Sequence, residues 1–399
     1  MIQFPVSLLG GKASQSQMMG IGAPDYASKN RATLSSRSPL ASGSPLVSRF
    51  NRTSGFSLVE IMVAMVIGML GMIVMLQVFG AFESQKRTTT GSADAMNAGA
   101  IALYGVQRDI RQSGWGMAGT VESPLIGCVV AAPGLNPAKD ITLAPVTINS
   151  LIVAAGDANT DTLLVVYGNG NGTVEGDTIE SIPTGQIYAV HTPTAFKNGD
   201  LVVAEPQARP IPCTLSMTSV TATPAGPPNV NMTVAATVAG TTLGKLYDFG
   251  ANPKVQAYAI RSGNLTVCDY RVNDCSLATA AFWVPIANNV VMLRAQYGRD
   301  TSVPMDGVVD IYDQTTPTPD DACSWLRASA LQVALVARNS QPEKTAVTAA
   351  APTWMGGTPI DLTAGTVAAG FTWQNYRYRV FETIVPLRNI TSIGASSGC

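Results

Sequence analysis

Residues 61–82 form an uncharged run in which Gln77 is the one strongly polar side chain. As a helix rising ~1.5 Å per residue, these residues cover ~33 Å, enough to cross the hydrocarbon core of a bilayer. A removable export signal has a shorter apolar core followed by a small-residue cleavage site. Here Glu83, Lys86 and Arg87 follow instead, and the helical pattern carries on. The run is therefore expected to be a retained anchor.

Charge orients that anchor. Residues 1–55 carry Lys12, Lys29, Arg31, Arg37, Arg49 and Arg52 against Asp25 alone, whereas the rest of the chain is net acidic. The basic side stays in the cytoplasm and the body is exported, so the expected location is the inner membrane, single-pass, with the N-terminus cytoplasmic. Residues 1–55 are rich in Ser, Gly and Pro with no apolar periodicity, and such a segment cannot offset its ordering entropy. They read as a disordered leader, either a true extension or the product of a start codon placed upstream of one near Leu46 or Val47. The acidic body argues against a nucleic-acid-coating role. With a single histidine, the chain is a poor candidate for His-based metal or triad chemistry.

Glu60 stands at the cytoplasmic edge of the span, five positions after Gly55, in the string Gly55-Phe56-Ser57-Leu58-Val59-Glu60. A carboxylate there can simply snorkel to the interface. With its basic leader and its uncharged span, however, the string resembles the class III signal of type IV prepilins. The resemblance implies cleavage between Gly55 and Phe56 by a prepilin peptidase, N-methylation of Phe56 and assembly into a filament. Burying an unpaired carboxylate among apolar helices costs several kcal/mol. The new ammonium of Phe56 on one subunit would pair with Glu60 of its neighbour and set the axial register.

No proline occurs from Phe56 to Ser123, so one helix of ~58 residues and ~87 Å is expected over 56–113, stopped by Gly114 and Gly116. Met96, Ala100, Leu103, Gln107 and Ile110 recur at three- and four-residue steps and are expected to face the body, with Arg108, Asp109 and Arg111 off that stripe. Many pilins carry a proline in this helix and this chain does not, so Gly68, Gly71 and Gly80 are its weak points.

Residues 114–399 alternate short Val-, Ile-, Leu- and Tyr-rich runs with Gly, Pro, Asn and Asp, which predicts a β-rich body. Strands are expected at 162–168, 201–204, 255–261, 265–271, 290–297, 330–338 (after a short helical start) and 376–387, with a hairpin at Ser262-Gly263-Asn264. Residues 206–228 and 315–319, rich in Pro and Thr, read as surface loops or insertions. Four strings resemble the PilW family of minor pilins: Arg108-Asp109-Ile110-Arg111-Gln112-Ser113-Gly114, Gln296-Tyr297-Gly298-Arg299-Asp300, 331–338, and 379–383 with Pro386-Leu387-Arg388-Asn389. The resemblance implies an α+β pilin-like fold of three parts: leader 1–55, helix 56–113 and exported domain 114–399.

Cys128, Cys213, Cys268, Cys275, Cys323 and Cys399 all lie in the exported part, where disulfides are the expected use. Cys268–Cys275 is the favoured local bridge, and the pairing of the other four cysteines stays open. No cofactor or metal is expected: there is no C-x-x-C pair, and His191 is isolated before Pro193. Asp157, Asn159 and Asp161 have the spacing that opens a calcium loop, but Thr162 stands where glycine is needed. Residues 168–176, Gly-Asn-Gly-Asn-Gly-Thr-Val-Glu-Gly, lack a phosphate-loop lysine. Arg377 and Arg379 are candidates for gripping a partner carboxylate, and Tyr376 and Trp373 for core or interface.

The reading is a non-enzymatic minor pilin that helps initiate type IV pilus assembly and sits at the tip. Its expected partners are other minor pilins, the major pilin, prepilin peptidase and a tip adhesin, with no nucleic acid. Two alternatives are a J-type minor pseudopilin of type II secretion and an anchored adhesin or DNA-uptake receptor.

Overall fold

In the computed structural model, residues 55–119, 125–224, 230–238, 240–357, 359–390 and 399 are described. The leader 1–54 and residues 225–229 of the Pro-rich stretch lie outside them. The chain divides into two compact units, Met1–Gly68 and Met69–Cys399. In the first, Gly55, Phe56 and Ser57 precede helix α1 (Leu58–Gln112), whose opening turns expose every side chain. α1 runs 55 residues through the division, and Gly114 ends it with φ +83°.

In the second unit α1 rests on the body through Ala95, Gly99, Ala102, Val106, Asp109 and Ile110. This corrects the expected stripe. Met96 and Ala100 are exposed, Leu103 and Gln107 are half-buried, Ile110 alone of that set is buried, and Asp109 is buried with it. Close approach is the reason. A Cβ on Gly99 would lie 2.2 Å from the Phe381 ring, so there the face needs glycine, flanked by the small buried Ala95 and Ala102.

The body begins with β1 (Val129–Ala132), β2 (Lys139–Thr142), β3 (Val146–Ile148) and β4 (Leu163–Tyr167). Then come β5 (Asp177–Thr184), β6 (Ile187–Val190), β7 (Leu201–Glu205), β8 (Thr214–Ala222), β9 (Asn231–Val234) and β10 (Lys245–Gly250). The order β8-β7-β10-β5-β6-β9 is antiparallel throughout, and β9 returns to pair with β8, so these six strands close on themselves. Ile179, Tyr188, Val202, Val220, Met232 and Leu246 fill the interior. β1 joins β8 in parallel and β2 joins β1. The expected loop at 206–228 is corrected here: Thr214–Ala222 is a nine-residue strand with three neighbours. Its Thr residues serve a half-buried pleat, as β-branched residues do.

β11 (Lys254–Arg261) and β12 (Asn264–Asp269) form the expected hairpin. Arg261 pairs with Asn264, and Ser262 and Gly263 take φ 51° and 71°, the turn that matches strand twist. With β13 (Val284–Ala287) they make the sheet β13-β12-β11-β4-β3. β14 (Val290–Arg299), β15 (Ile311–Asp313), the short helix α2 (Ala322–Leu326), β16 (Ala328–Arg338) and β17 (Tyr378–Pro386) follow. They supply the sheet β15-β14-β16-β17, on which α1 lies. Residues 315–319 are the loop expected.

Tyr297 shows how firmly this core is closed. Its ring meets Trp325 edge-on at 6.3 Å, and its hydroxyl accepts from Ile148 N–H at 2.7 Å. Burial pushes its pKa up to about 12, against ~10 in an unfolded chain. The folded state thus favours the neutral phenol. Its contribution is complete below pH ~10 and is lost as pH rises from there toward about 12. In urea unfolding across that window, Tyr297→Phe is expected to flatten the fall of stability by about 1.4 kcal/mol per pH unit. An unchanged slope would contradict this account of the site.

Candidate functional site

The N-terminal end of α1 concentrates the chemistry. Ile61 N–H donates to Ser57 O at 3.1 Å, opening the helix directly after Phe56. Phe56 is 78% exposed, and Glu60 sits in the first turn, where the helix dipole favours a negative charge. Phe56, Glu60, Ile61, Ala64 and Met65 share one exposed face of the helix start. From Leu58 to Phe82 the large apolar side chains are all exposed, and Glu60 is the only charge among them. This is one helix long and apolar enough to cross a membrane.

The other end of α1 is held by partners that sequence reasoning missed. The buried Asp109 carboxylate accepts the hydroxyl of Tyr258 on β11 and Arg108 Nε at 3.2 Å. Burial first, and the Asp109 charge second, push the Tyr258 phenol up; the same two causes take Tyr167 to about 12. Asn389 Nδ2, past β17, donates to the carbonyls of Arg111, Gln112 and Ser113 at 3.3, 3.0 and 2.9 Å. These last-turn carbonyls have no partner inside the helix, and a side chain from 276–278 residues away supplies one. An acid off the apolar stripe was the available signal for Asp109; Asn389 gave none.

The cysteines pair as Cys128–Cys213, Cys268–Cys275 and Cys323–Cys399. Buried Glu205 lies beside the first bridge and accepts the Tyr247 hydroxyl at 3.1 Å. Both sulfurs are spent in the disulfide, so this trio has no thiolate to offer a metal. The calcium-like triplet is engaged elsewhere. Asp157 accepts the turn amides of Ser262 and Gly263 at 2.9 and 2.8 Å, and Asn159 donates to Asp361 at 2.9 Å. Asp161 accepts Ala295 N–H at 3.0 Å and Gln314 at 2.7 Å. The loop 168–176 wraps a carboxylate of its own chain: Asp248 accepts Asn171 and Gly172 N–H at 3.0 and 3.2 Å, and burial pushes its pKa up. His191 is exposed, 3.2 Å from Glu180.

Arg377 is 3.3 Å from Glu343, whereas the exposed Arg379 side chain makes no hydrogen bond or ion pair among the described residues. Tyr376 is buried under Arg338 at 4.3 Å, and Trp373 packs half-buried against the outer face of β16 and β14.

Residues 50–76 match the prokaryotic N-terminal methylation motif. That motif on a long N-terminal helix, ahead of a β-rich body, defines a type IV pilin-like protein. Residues 260–389 match the family described as type IV pilus-assembly protein W. No curated protein gives a significant match. Among solved structures, a type IV-like pilin from Thermus thermophilus is 14% identical, with 49% of this chain and 86% of that one covered. Its TM-score of 0.21 carries no argument about fold or function.

Proposed function

We propose that the chain is a minor pilin that helps initiate type IV pili and sits at their tip. In this reading prepilin peptidase cuts between Gly55 and Phe56, Phe56 is N-methylated, and residues 1–55 remain on the cytoplasmic side of the inner membrane. Its work is assembly and not turnover. The helix packs among those of other minor pilins and the major pilin, and Glu60 meets a neighbour's Phe56 ammonium.

The observation that carries the reading is the bare apolar end of α1 with a single carboxylate in its first turn. Left outside a membrane, such a surface needs equivalent helices around it. The tip position is supported by the closed six-stranded addition at 177–250, which lies outside both family-matched segments and adds bulk that a repeated shaft subunit must accommodate at every step. Gold-labelling a tagged copy on sheared pili should decorate filament ends. Uniform decoration along the shaft would overturn the tip assignment.

A further inference from the structure

The longest open sheet edge among the described residues is β17. Other marginal strands are short: β2 and β13 have four residues, β3 and β15 three, and β9 has no free edge because it closes on β8. β17 has nine residues and one neighbour, β16. At its two ends Leu387 N–H donates to Ser329 O at 2.9 Å and Asn339 N–H to Arg377 O at 3.1 Å. With the register Arg379↔Ala337 to Val385↔Leu331, odd-numbered residues of β17 therefore turn their peptide groups toward β16. Tyr378, Val380, Glu382 and Ile384 turn theirs outward. Among the described residues no hydrogen bond reaches these four peptide groups. Ile384 is 43% exposed, Arg379 and Pro386 are exposed, and Pro386, lacking an N–H, ends the row.

A row of alternating free N–H and C=O groups is satisfied by one kind of partner, an extended backbone laid alongside. Direction narrows the partner. α1 runs along β17, with Gly99 over Phe381, Gln107 at Thr383 and the Arg111–Ser113 carbonyls at Asn389. Antiparallel pairing of β17 with β17 of a second copy would set the two α1 helices in opposite directions, which chains anchored in one membrane do not permit. A copy in the same direction offers β15, whose three residues cannot cover 378–384.

We propose that β17 accepts an antiparallel strand from a different pilin-type subunit whose helix runs alongside α1, with an acid on that strand opposite Arg379. The inference rests on the pilus-assembly reading and names how a partner is held in it.

The test places a photocrosslinking residue at Pro386 of the full chain in piliated cells and maps adducts by mass spectrometry. An adduct with an extended segment of another chain bearing a prepilin-type N-terminus is expected. Ile384→Pro removes one outward N–H and leaves the β16 ladder intact, and it should lower adduct yield about tenfold. Arg379→Glu should lower it several-fold. Both variants should be cleaved, and should unfold, as the parent does; Thr383→Pro, which removes an inward N–H, should lower stability instead. No adduct, an adduct with a second copy or lipid, or full yield from Ile384→Pro overturns the strand pairing. Processed chain recovered in sheared filaments alongside such a failure leaves the pilus reading standing. A chain absent from filaments defeats that reading instead.

Discussion

Glu60→Val should leave the leader cut and the body folded, yet the variant should be nearly missing from sheared filaments. In the isolated chain the Glu60 side chain is exposed. Among packed helices the same carboxylate is worth keeping only if a positive group meets it, and the nearest candidate is the ammonium created at Phe56 four residues earlier. Breaking one side of a buried ion pair costs about 3–5 kcal/mol, because the other charge stays uncompensated. That corresponds to a drop in incorporation of roughly two to four orders of magnitude. Immunoblots of sheared and cell-bound fractions measure it. Glu60→Asp, which keeps the charge on a shorter arm, should recover part of the loss. Incorporation of Glu60→Val at the parent level would remove the register role altogether.

The second large effect lies in the body. Removing the Cys128–Cys213 bridge with serine at both positions should cost about 2–5 kcal/mol in urea unfolding. The two cysteines are separated by 85 residues and fix the start of the parallel pairing Val129↔Thr214, where β1 meets the closed six-stranded unit. Cys268–Cys275 spans a separation of seven, and by loop entropy its removal should cost about 2 kcal/mol less. Equal losses from the two pairs would show that chain entropy is not what the long bridge supplies.

The parts of this architecture that could be read in the sequence are those written locally. The uncharged run, the missing proline and Gly114 together announce α1, and Ser262-Gly263 between apolar runs announces β11 and β12. What could not be read depends on residues far apart. The α1 face made of Ala95, Gly99 and Ala102 carries almost no hydrophobic signal. It is selected because Phe381, nearly 300 positions later, comes so close, while the apolar periodicity points to Met96 and Ala100 instead. Likewise β10 lies between β5 and β7, and β9 closes on β8; no local pattern states that order. The site divides the same way. Gly55, Phe56 and Glu60 lie within one short string and read as a motif. Arg377 and Arg379 looked equivalent until Glu343 took the first and left the second at an open edge. Asn389 stood within a recognised string, but its grip on the end of α1 needed the fold to bring the two together.

Mass analysis of the N-terminus of purified mature chain tests the central claim most directly. The account predicts a polypeptide that begins at Phe56 and carries one methyl group on its amine. An unmodified chain that still contains residues of the 1–55 leader would contradict it.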